Sequence, residues 1–304
     1  MKHSLRITLL LAFVFFITQL IGLAITNQYI STKEYIDPET HLTVKEIVSL
    51  DLPYNIERPE VEQSTSYIWI VAAVISGTLL LLLLIRYNKF NLWKLWFFLA
   101  VLTTMAIAFS AFLPQMAAAA LALMLAILKL YKPTTITQNL TEIFIYGGLA
   151  AIFVPILNIF AAFMLLIIIS IYDIIAVNKT KHMISMAKFQ AKSKVFAGFM
   201  FPYEKTEDSA LKEIQKKRQS GVRLAVLGGG DIGFPLLFAG VIMKELMLTN
   251  PEIIAFLKTL AIPFFVTFAL LYLLLVGKQD KFYPAMPYLT LGCIVGYLFI
   301  LLVF

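Results

Sequence analysis

The sequence contains too little charge for a soluble protein of its size. Charged residues make up 14% of its 304 residues, hydrophobic residues make up 60%, and the mean hydropathy is +0.86. Soluble globular domains carry about 25% charged residues, so this class is excluded. The net charge of +7 does not indicate a nucleic-acid partner, because the basic residues lie mainly in loops between long apolar runs.

Residues that form disulfides or bind metals are also scarce. The single cysteine, Cys293, lies in an apolar run. The three histidines, His3, His41 and His182, are far apart and do not have the spacing of metal ligands. The sequence therefore predicts no disulfide framework, no metal centre and no cofactor.

Long apolar runs dominate the chain instead. Runs of about 18 residues or more recur along it, and each is long enough to span a bilayer. The pattern predicts an all-α, multi-pass protein of the cell membrane with nine transmembrane helices, the fourth and fifth of them short. The predicted spans are 7–26, 67–85, 95–113, 116–130, 141–154, 157–177, 222–244, 254–276 and 286–304.

Basic residues are concentrated in alternate loops. If the N-terminus is cytoplasmic, 20 of the 25 Lys and Arg fall in cytoplasmic segments. The positive-inside rule therefore predicts a cytoplasmic N-terminus and an extracytoplasmic C-terminus. The chain divides into region 1–154, with helices one to five and an extracytoplasmic loop at 27–66, and region 155–304, with helices six to nine and a cytoplasmic loop at 178–221.

Two carboxylates remain in the predicted hydrocarbon region after the loops are assigned. Asp173 lies in FMLLIIISIYDIIAV and Asp231 lies in LGGGDIGFP. An Asp at the centre of a membrane helix costs about 2.5–3.5 kcal/mol, which favours a functional site over the simpler alternative of a structural interhelical hydrogen bond. The two residues lie on consecutive antiparallel spans at depths that differ by about 6 Å, at about 1.5 Å per residue. The two carboxylates can therefore meet.

Two carboxylates in one low-dielectric site share a proton, because a second negative charge there is expensive. The ionised member can take a proton from water while the neutral member donates one to a peptide carbonyl. This chemistry is that of aspartic proteolysis. Paired acids on a broken helix also fit a proton- or cation-coupled transporter or a leak pathway, although the chain shows no paired inverted repeats.

The residues around Asp231 weaken a helix. Gly228, Gly229 and Gly230 each lower helix propensity by about 1 kcal/mol relative to Ala, and they let another backbone come close. Pro235 cannot donate the usual helix hydrogen bond four residues back. The pattern predicts a kinked helix beside a wet pocket. Close helix packing alone would explain the glycines, but neither the Asp nor the Pro.

A third motif, Pro284-Ala285-Met286-Pro287, stands at the start of the last span. The following stretch, 288–304, has 17 residues and is short for a full crossing, so the motif is predicted to be drawn into the membrane interface. Residues before each proline favour extended geometry, and such a backbone could pair with a substrate as an added strand. A helix-start proline would explain Pro287 alone.

Taken in order, these motifs resemble those of the presenilin and signal peptide peptidase family of intramembrane aspartyl proteases. Asp231 closes the family's GxGD pattern, and Met286 replaces the leucine usual in the third motif, a change that conserves volume. The resemblance implies that Asp173 and Asp231 are the catalytic pair. It implies that the supporting residues of the active site are Tyr172, Gly228, Gly229, Gly230, Pro284, Ala285, Met286 and Pro287.

The resemblance also implies partners. The cytoplasmic N-terminus and Pro287 place the chain with the presenilin branch, since the signal peptide peptidase branch is inverted. The absence of a very long cytoplasmic loop implies a compact microbial, archaeal-type homologue without obligatory accessory subunits. The expected partners are the lipid bilayer and, as substrates, the transmembrane segments of single-span proteins; no nucleic acid is expected, and a homo-oligomer stays open.

The charge distribution makes a testable prediction about the two termini. Tags at the two ends should be accessible from opposite faces of the membrane, the N-terminal tag from the cytoplasm. Protease protection of tagged protein in sealed inverted vesicles measures this. A C-terminal tag on the cytoplasmic face would contradict the predicted orientation and assign the chain to the inverted branch.

Overall fold

The computed structural model describes residues 5–36, 43–87, 89–177, 196–203, 223–277 and 283–304. The structural statements below refer to these residues. The helices are α1 (Leu5–Asn27), α2 (Ser66–Arg86), α3 (Phe90–Ser110), α4 (Gln115–Tyr131), α5 (Thr135–Phe153), α6 (Ile159–Ile175), α7 (Gly229–Thr249), α8 (Glu252–Val276) and α9 (Met286–Val303). Helix α8 is interrupted at Leu260, and short 3₁₀ turns lie at Pro53–Asn55 and Val154–Ile156.

These helices are those of a multi-pass membrane protein. In the described part of the chain, seven are long and apolar enough to cross a bilayer, and two further apolar helices, α4 and α6, have 17 residues each. Helix α5 and the turn after it form a 22-residue stretch, so the fifth span is longer than predicted from 141–154. The count of nine crossings and their orientation stay predictions from the sequence.

Two antiparallel hairpins correct the all-α expectation. Strand β1 (Ile30–Ile36) pairs with β2 (Thr43–Ser49), and β3 (Gly198–Tyr203) pairs with β4 (Arg223–Gly228). The second pair joins the middle of the predicted loop 178–221 to the start of the predicted seventh span. Strand β4 falls within the predicted seventh helix, because the periodicity of apolar residues does not separate short buried strands from helices. Most of that loop lies outside the described residues.

Helix α7 is the centre of the bundle. Most of it is buried, and it packs against α1, α5, α6, α8 and α9. One continuous core combines side chains from α1, such as Phe15, with Leu236 and Phe238 of α7. Helix α2, by contrast, lies at the edge and buries few of its residues. The division of the chain after residue 154 stays a prediction about function, since the core itself includes both parts.

Small residues let several helices approach closely. A Cβ atom added to Gly148 of α5 would lie 1.9 Å from the carbonyl oxygen of Thr104 in α3. Gly292 and Gly296 of α9 face the backbone of α8 in the same way, with Val266 and Ile262 Cα atoms 2.8 Å from the added Cβ positions. Without a hydrophobic force between helices in lipid, such close backbone contact is a main source of stability.

The segment between α1 and α2 is tied to the helix ends beneath it. Tyr29 donates a hydrogen bond to the carbonyl of Ile107 at 2.6 Å. Arg58 donates to the carbonyls of Leu50 at 2.6 Å and Ala151 at 3.2 Å. Burial raises the pKa of Tyr29 to about 12, so this phenol stays protonated and keeps donating through the physiological range. The β1–β2 hairpin is thereby fixed over one end of the bundle.

The glycine contacts predict a matched pair of stability effects. Gly148→Ala should destabilise the protein by about 1–3 kcal/mol, because the new methyl group overlaps the Thr104 carbonyl. Gly77→Ala in α2 is the control, since its Cβ position has only one neighbour, a Trp96 ring carbon at 3.8 Å. It should be neutral or slightly stabilising, by up to about 1 kcal/mol. Unfolding midpoints in detergent measure both; equal midpoints would contradict the α3–α5 packing.

Candidate active site

Asp231 lies at the transition from a strand to a helix. Strand β4 ends at Gly228, α7 begins at Gly229, and Asp231 is in the first turn of the helix, partly exposed. The positive end of the helix dipole and the N–H groups of this turn lie beside its carboxylate. The predicted seventh span therefore places Asp231 correctly on a helix, but at its beginning rather than in its middle.

The glycines before Asp231 have different roles. A Cβ atom on Gly229 would lie 2.5 Å from the hydroxyl of Tyr146, so only glycine fits there. On Gly228 it would lie 3.3 Å from Oδ2 of Asp231, which shows that the carboxylate is turned back toward the strand. Gly230 has only an ordinary contact, 3.4 Å to Phe234. Close approach explains the first two glycines of the motif, but not the third.

Pro235 lies inside α7 and does not interrupt it. Helix α7 runs through Pro235 to Thr249, and the proline is buried inside it. The kink predicted from Pro235 therefore does not end the helix. The interruption lies before the Asp, where the chain changes from strand to helix. As the seventh residue of the helix, Pro235 cannot supply the N–H that would bond the main-chain carbonyl of Asp231.

Asp173 lies at the opposite kind of helix end. It is in the last turn of α6, and its Oδ2 accepts a hydrogen bond from the main-chain N–H of Met286 at 3.1 Å. One turn earlier, Ser170 is hydrogen-bonded to Thr290 of α9 at 2.7 Å. These two bonds fix the register of α6 against α9. They place the third sequence motif directly beside the first aspartate.

From Ala285 onward, the Pro284–Pro287 segment is helical rather than extended. Ala285 has helical dihedrals, φ −84° and ψ −34°, and Met286 is the first residue of α9. Pro287 lies in the first helical turn, where its missing N–H is not needed. The expectation of an extended backbone is therefore wrong for Met286, the residue before Pro287. The contribution of the segment to the site is the Met286 N–H.

The two aspartates lie at the same end of an antiparallel helix pair. The rings of Phe163 in α6 and Phe238 in α7 meet edge to face with centroids 4.9 Å apart. Counting from this contact at about 1.5 Å per residue, Asp173 lies about 15 Å and Asp231 about 10.5 Å along the helices in the same direction. Their levels therefore differ by only about 4.5 Å.

Tyr172 faces away from this arrangement. Its hydroxyl lies 3.5 Å from Oγ1 of Thr78 in α2, which is at the limit of a hydrogen bond. The contact joins α6 to the peripheral helix α2. The structure thus brings together Asp173, Met286 and the α9 start on one side and Asp231 with its glycines on the other, with Tyr172 on a different face of α6.

Sequence reasoning missed several polar residues around Asp231. Gln19 of α1, buried to 1% exposure, donates from Nε2 to the carbonyl of Ile232 at 2.9 Å. Glu142 of α5 is likewise buried and is paired with Lys129. The prediction of only two carboxylates in the membrane region is therefore wrong, because Glu142 lies within the candidate span Thr135–Ile156. A lone amide in the apolar run of α1 was a usable signal for Gln19.

Metal ligands do not gather at this site. Across the described ranges, no three His, Cys, Asp or Glu side chains lie close enough to hold a metal ion. The groups that the structure offers for chemistry are the two carboxylates, the Met286 N–H and the first turn of α7.

The fold and site together are those of a multi-pass membrane bundle with two carboxylates at the same end of neighbouring helices. Residues 42–304 match the family described as signal-peptide peptidase, presenilin aspartyl protease, and the chain belongs to this family. It is accordingly an intramembrane aspartate protease of the signal-peptide peptidase and presenilin family.

Solved structures with the same fold are known. Two structures of a presenilin family intramembrane aspartate protease, in C222 and P2 space groups, each share 19% sequence identity with the chain. The first has a TM-score of 0.57 and covers 95% of this chain and 94% of its own; the second has 0.58 and covers 97% of both. At this identity the likeness shows a shared fold. The comparison with curated proteins gave no match.

The contact between Met286 and Asp173 predicts the effect of replacing Pro284 and Pro287 by Leu together. Helix α9 should extend by about one turn, since both obstacles to extension are gone. The Met286 N–H should then bond a main-chain carbonyl and leave Asp173. We expect cleavage per folded molecule to fall at least about tenfold, as displacement of a catalytic group commonly does.

A cross-link provides the companion measurement. Asp173→Cys and Ala285→Cys, in a Cys293→Ser background, should be joined by a short bifunctional reagent because the two segments are hydrogen-bonded. Near-normal cleavage by the double Leu variant together with no cross-link would remove this segment from the active site. Pro287 would then only start a helix.

Proposed function

We propose that this chain hydrolyses peptide bonds within the transmembrane segments of single-span proteins, with Asp173 and Asp231 as an acid–base pair and water as the nucleophile. The observation that carries this proposal is the Phe163–Phe238 contact, which supports carboxylate levels that differ by only about 4.5 Å at one end of α6 and α7. Each carboxylate lies at a helix end, where main-chain polar groups are available. The family to which the chain belongs agrees with this chemistry.

The proposed reaction needs one ionised and one protonated carboxyl group. The ionised group takes a proton from water as the water oxygen attacks the peptide carbonyl carbon. The protonated group donates its proton to the carbonyl oxygen, which gives a neutral tetrahedral diol. The diol then collapses: the C–N bond breaks, the leaving nitrogen receives a proton from the first carboxyl group, and a diol hydroxyl returns its proton to the second. The single shared proton belongs to the pair rather than to either residue.

Strand β4 supports a way of presenting the substrate. Within the described residues β4 pairs with β3 alone, and it ends three residues before Asp231. A substrate helix has its peptide groups hydrogen-bonded internally and must unwind before water can attack them. An unwound segment can add as a strand to the edge of the β3–β4 hairpin, where main-chain bonds replace those it has lost. The peptide bond at its end then lies beside Asp231.

The orientation predicted from charge gives the substrate class. The carboxylates lie in the half of the membrane predicted to be cytoplasmic, and the resemblance to the presenilin branch implies single-span substrates with their N-terminus outside. The surface of the bundle carries exposed apolar side chains such as Trp69, Leu79 and Leu302. Such a surface faces lipid, so the expected substrates are segments embedded in the membrane rather than soluble proteins.

The aspartates are tested by single substitutions in purified protein. Asp173→Asn and Asp231→Asn should each abolish cleavage of a single-span substrate, because each removes one of the two proton-transfer roles. Both variants should fold, since Asn removes a charge that is costly to bury. Asp51→Asn, at an exposed position in the segment before α2, is the matched control and should cut normally. Two discrete fragments identified by mass spectrometry are the measurement.

Two results would contradict the proposal. Substantial cleavage by either Asn variant would remove the two-carboxylate mechanism. Ion flux across vesicles containing the purified protein, dependent on both aspartates and without any fragment, would instead identify a transporter or leak pathway.

A further inference from the structure

A buried ion pair lies on α4 and α5 close to the start of α7. Nζ of Lys129 and Oε1 of Glu142 are 2.6 Å apart, and the two side chains are 2% and 1% exposed. Desolvating both charges is expensive, and well-packed apolar residues of the same volume are often at least as stable. Stability alone therefore does not explain the pair.

The ion pair belongs to a buried hydrogen-bonded network. Lys129 also donates to Oε1 of Gln138 and to Oγ1 of Thr141, both at 3.0 Å. Gln138 donates from Nε2 to Oε1 of Glu142 at 3.0 Å, and Tyr146 donates from its hydroxyl to Oε2 of Glu142. We call these five residues the α5 cluster. Because both oxygens of Glu142 are engaged, the positions of Gln138 and Tyr146 are fixed by one carboxylate.

Two arms of the α5 cluster reach the junction between β4 and α7. Gln138 donates to the main-chain carbonyls of Phe196 at 2.9 Å and Gly198 at 3.0 Å, and Gly198 lies opposite Gly228 in the β3–β4 register. Tyr146 lies against the other side of the junction, with its hydroxyl 2.5 Å from the Cβ position of Gly229. Its ring continues along α7, 3.6 Å from the Cβ position of Gly233. The junction is thus held on the strand side and on the helix side.

We propose that Tyr146 is a positioning residue for Asp231, held in place by the Lys129–Glu142 ion pair; the proposal rests on the proposed role of Asp231 in catalysis. Glu142 fixes the Tyr146 hydroxyl, the hydroxyl fixes Gly229, and Asp231 follows two residues later in the same helical turn. Displacement of a catalytic group by about 1 Å can cost about 10²-fold in rate. The α5 cluster therefore sets how well the carboxylate meets the peptide bond, without touching the substrate.

The first test removes one hydroxyl group. Tyr146→Phe keeps the ring against α7 but loses the bond to Glu142. We expect kcat for a single-span substrate to fall about 10- to 100-fold with KM unchanged, since only the geometry at the reacting atoms is altered. Tyr67→Phe is the matched control: it removes a hydroxyl from a tyrosine of α2 whose ring packs edge-on against Phe160, and it should leave both constants unchanged.

The second test removes the ion pair without leaving an unpaired charge. Lys129→Met combined with Glu142→Leu should fold, because both charges disappear together. It should show the same fall in kcat as Tyr146→Phe, because Tyr146 has lost the carboxylate that holds it. Adding Tyr146→Phe to this variant should produce no further fall, since residues that act through one contact are not additive.

The third test uses the close approach at Gly229. Gly229→Ala alone should lose nearly all activity, because its methyl group overlaps the Tyr146 hydroxyl. In the Tyr146→Phe background the nearest atoms are ring carbons at 3.3 Å, which small shifts can accommodate. The double variant should therefore regain the activity of Tyr146→Phe. This rescue would identify the contact between the Tyr146 hydroxyl and Gly229 as the cause of the loss.

The outcomes separate this proposal from the proposed function. If Tyr146→Phe cuts with the wild-type kcat while Asp231→Asn is inactive, the positioning role is overturned and the protease mechanism stands. If Gly229→Ala is equally inactive in both backgrounds, the contact between the hydroxyl and Gly229 is overturned. If Asp231→Asn itself cuts, the proposed function fails, whatever Tyr146 does.

Discussion

Hydrocarbon offers no hydrogen-bond partners, so each polar group at membrane depth has to find its partner within the protein. In this bundle the places where helices begin and end are the places where that requirement is hardest to meet. Asp173 lies at the end of α6, and the N–H of Met286 at the beginning of α9 meets it. Near the beginning of α7, Gln19 and the α5 cluster supply the partners. The candidate active site lies where these hydrogen-bonded helix ends come together.

Helix α7 is the element on which the arrangement depends. Its neighbours approach it through small residues and aromatic contacts, such as Gly22 of α1 beneath Leu236 and the Phe163–Phe238 pair. A helix surrounded in this way cannot shift along its axis without several contacts failing together. Such rigidity suits a site whose chemistry depends on the relative level of two carboxylates on different helices.

Part of the candidate active site could be predicted from the sequence, for reasons that apply to particular residues. Asp173 and Asp231 stood out because each is a charge inside an apolar run, and both lie at helix ends in the bundle. Glu142 did not stand out, because it lies at the very start of the predicted fifth span, next to the polar residues Gln138, Asn139 and Thr141. Only the fold shows that these polar residues face inward toward β3 and the start of α7.

The predictions for strand β4 and for the proline motif failed for a different reason. Hydropathy cannot distinguish the apolar strand β4 from the start of α7, since strand pairing with β3 depends on residues far away in sequence. The exposed face of α6 has a consequence of its own. Ile167 and Ile171 lie on this face, so lipid chains contact the helix that carries Asp173 within two turns of its carboxylate.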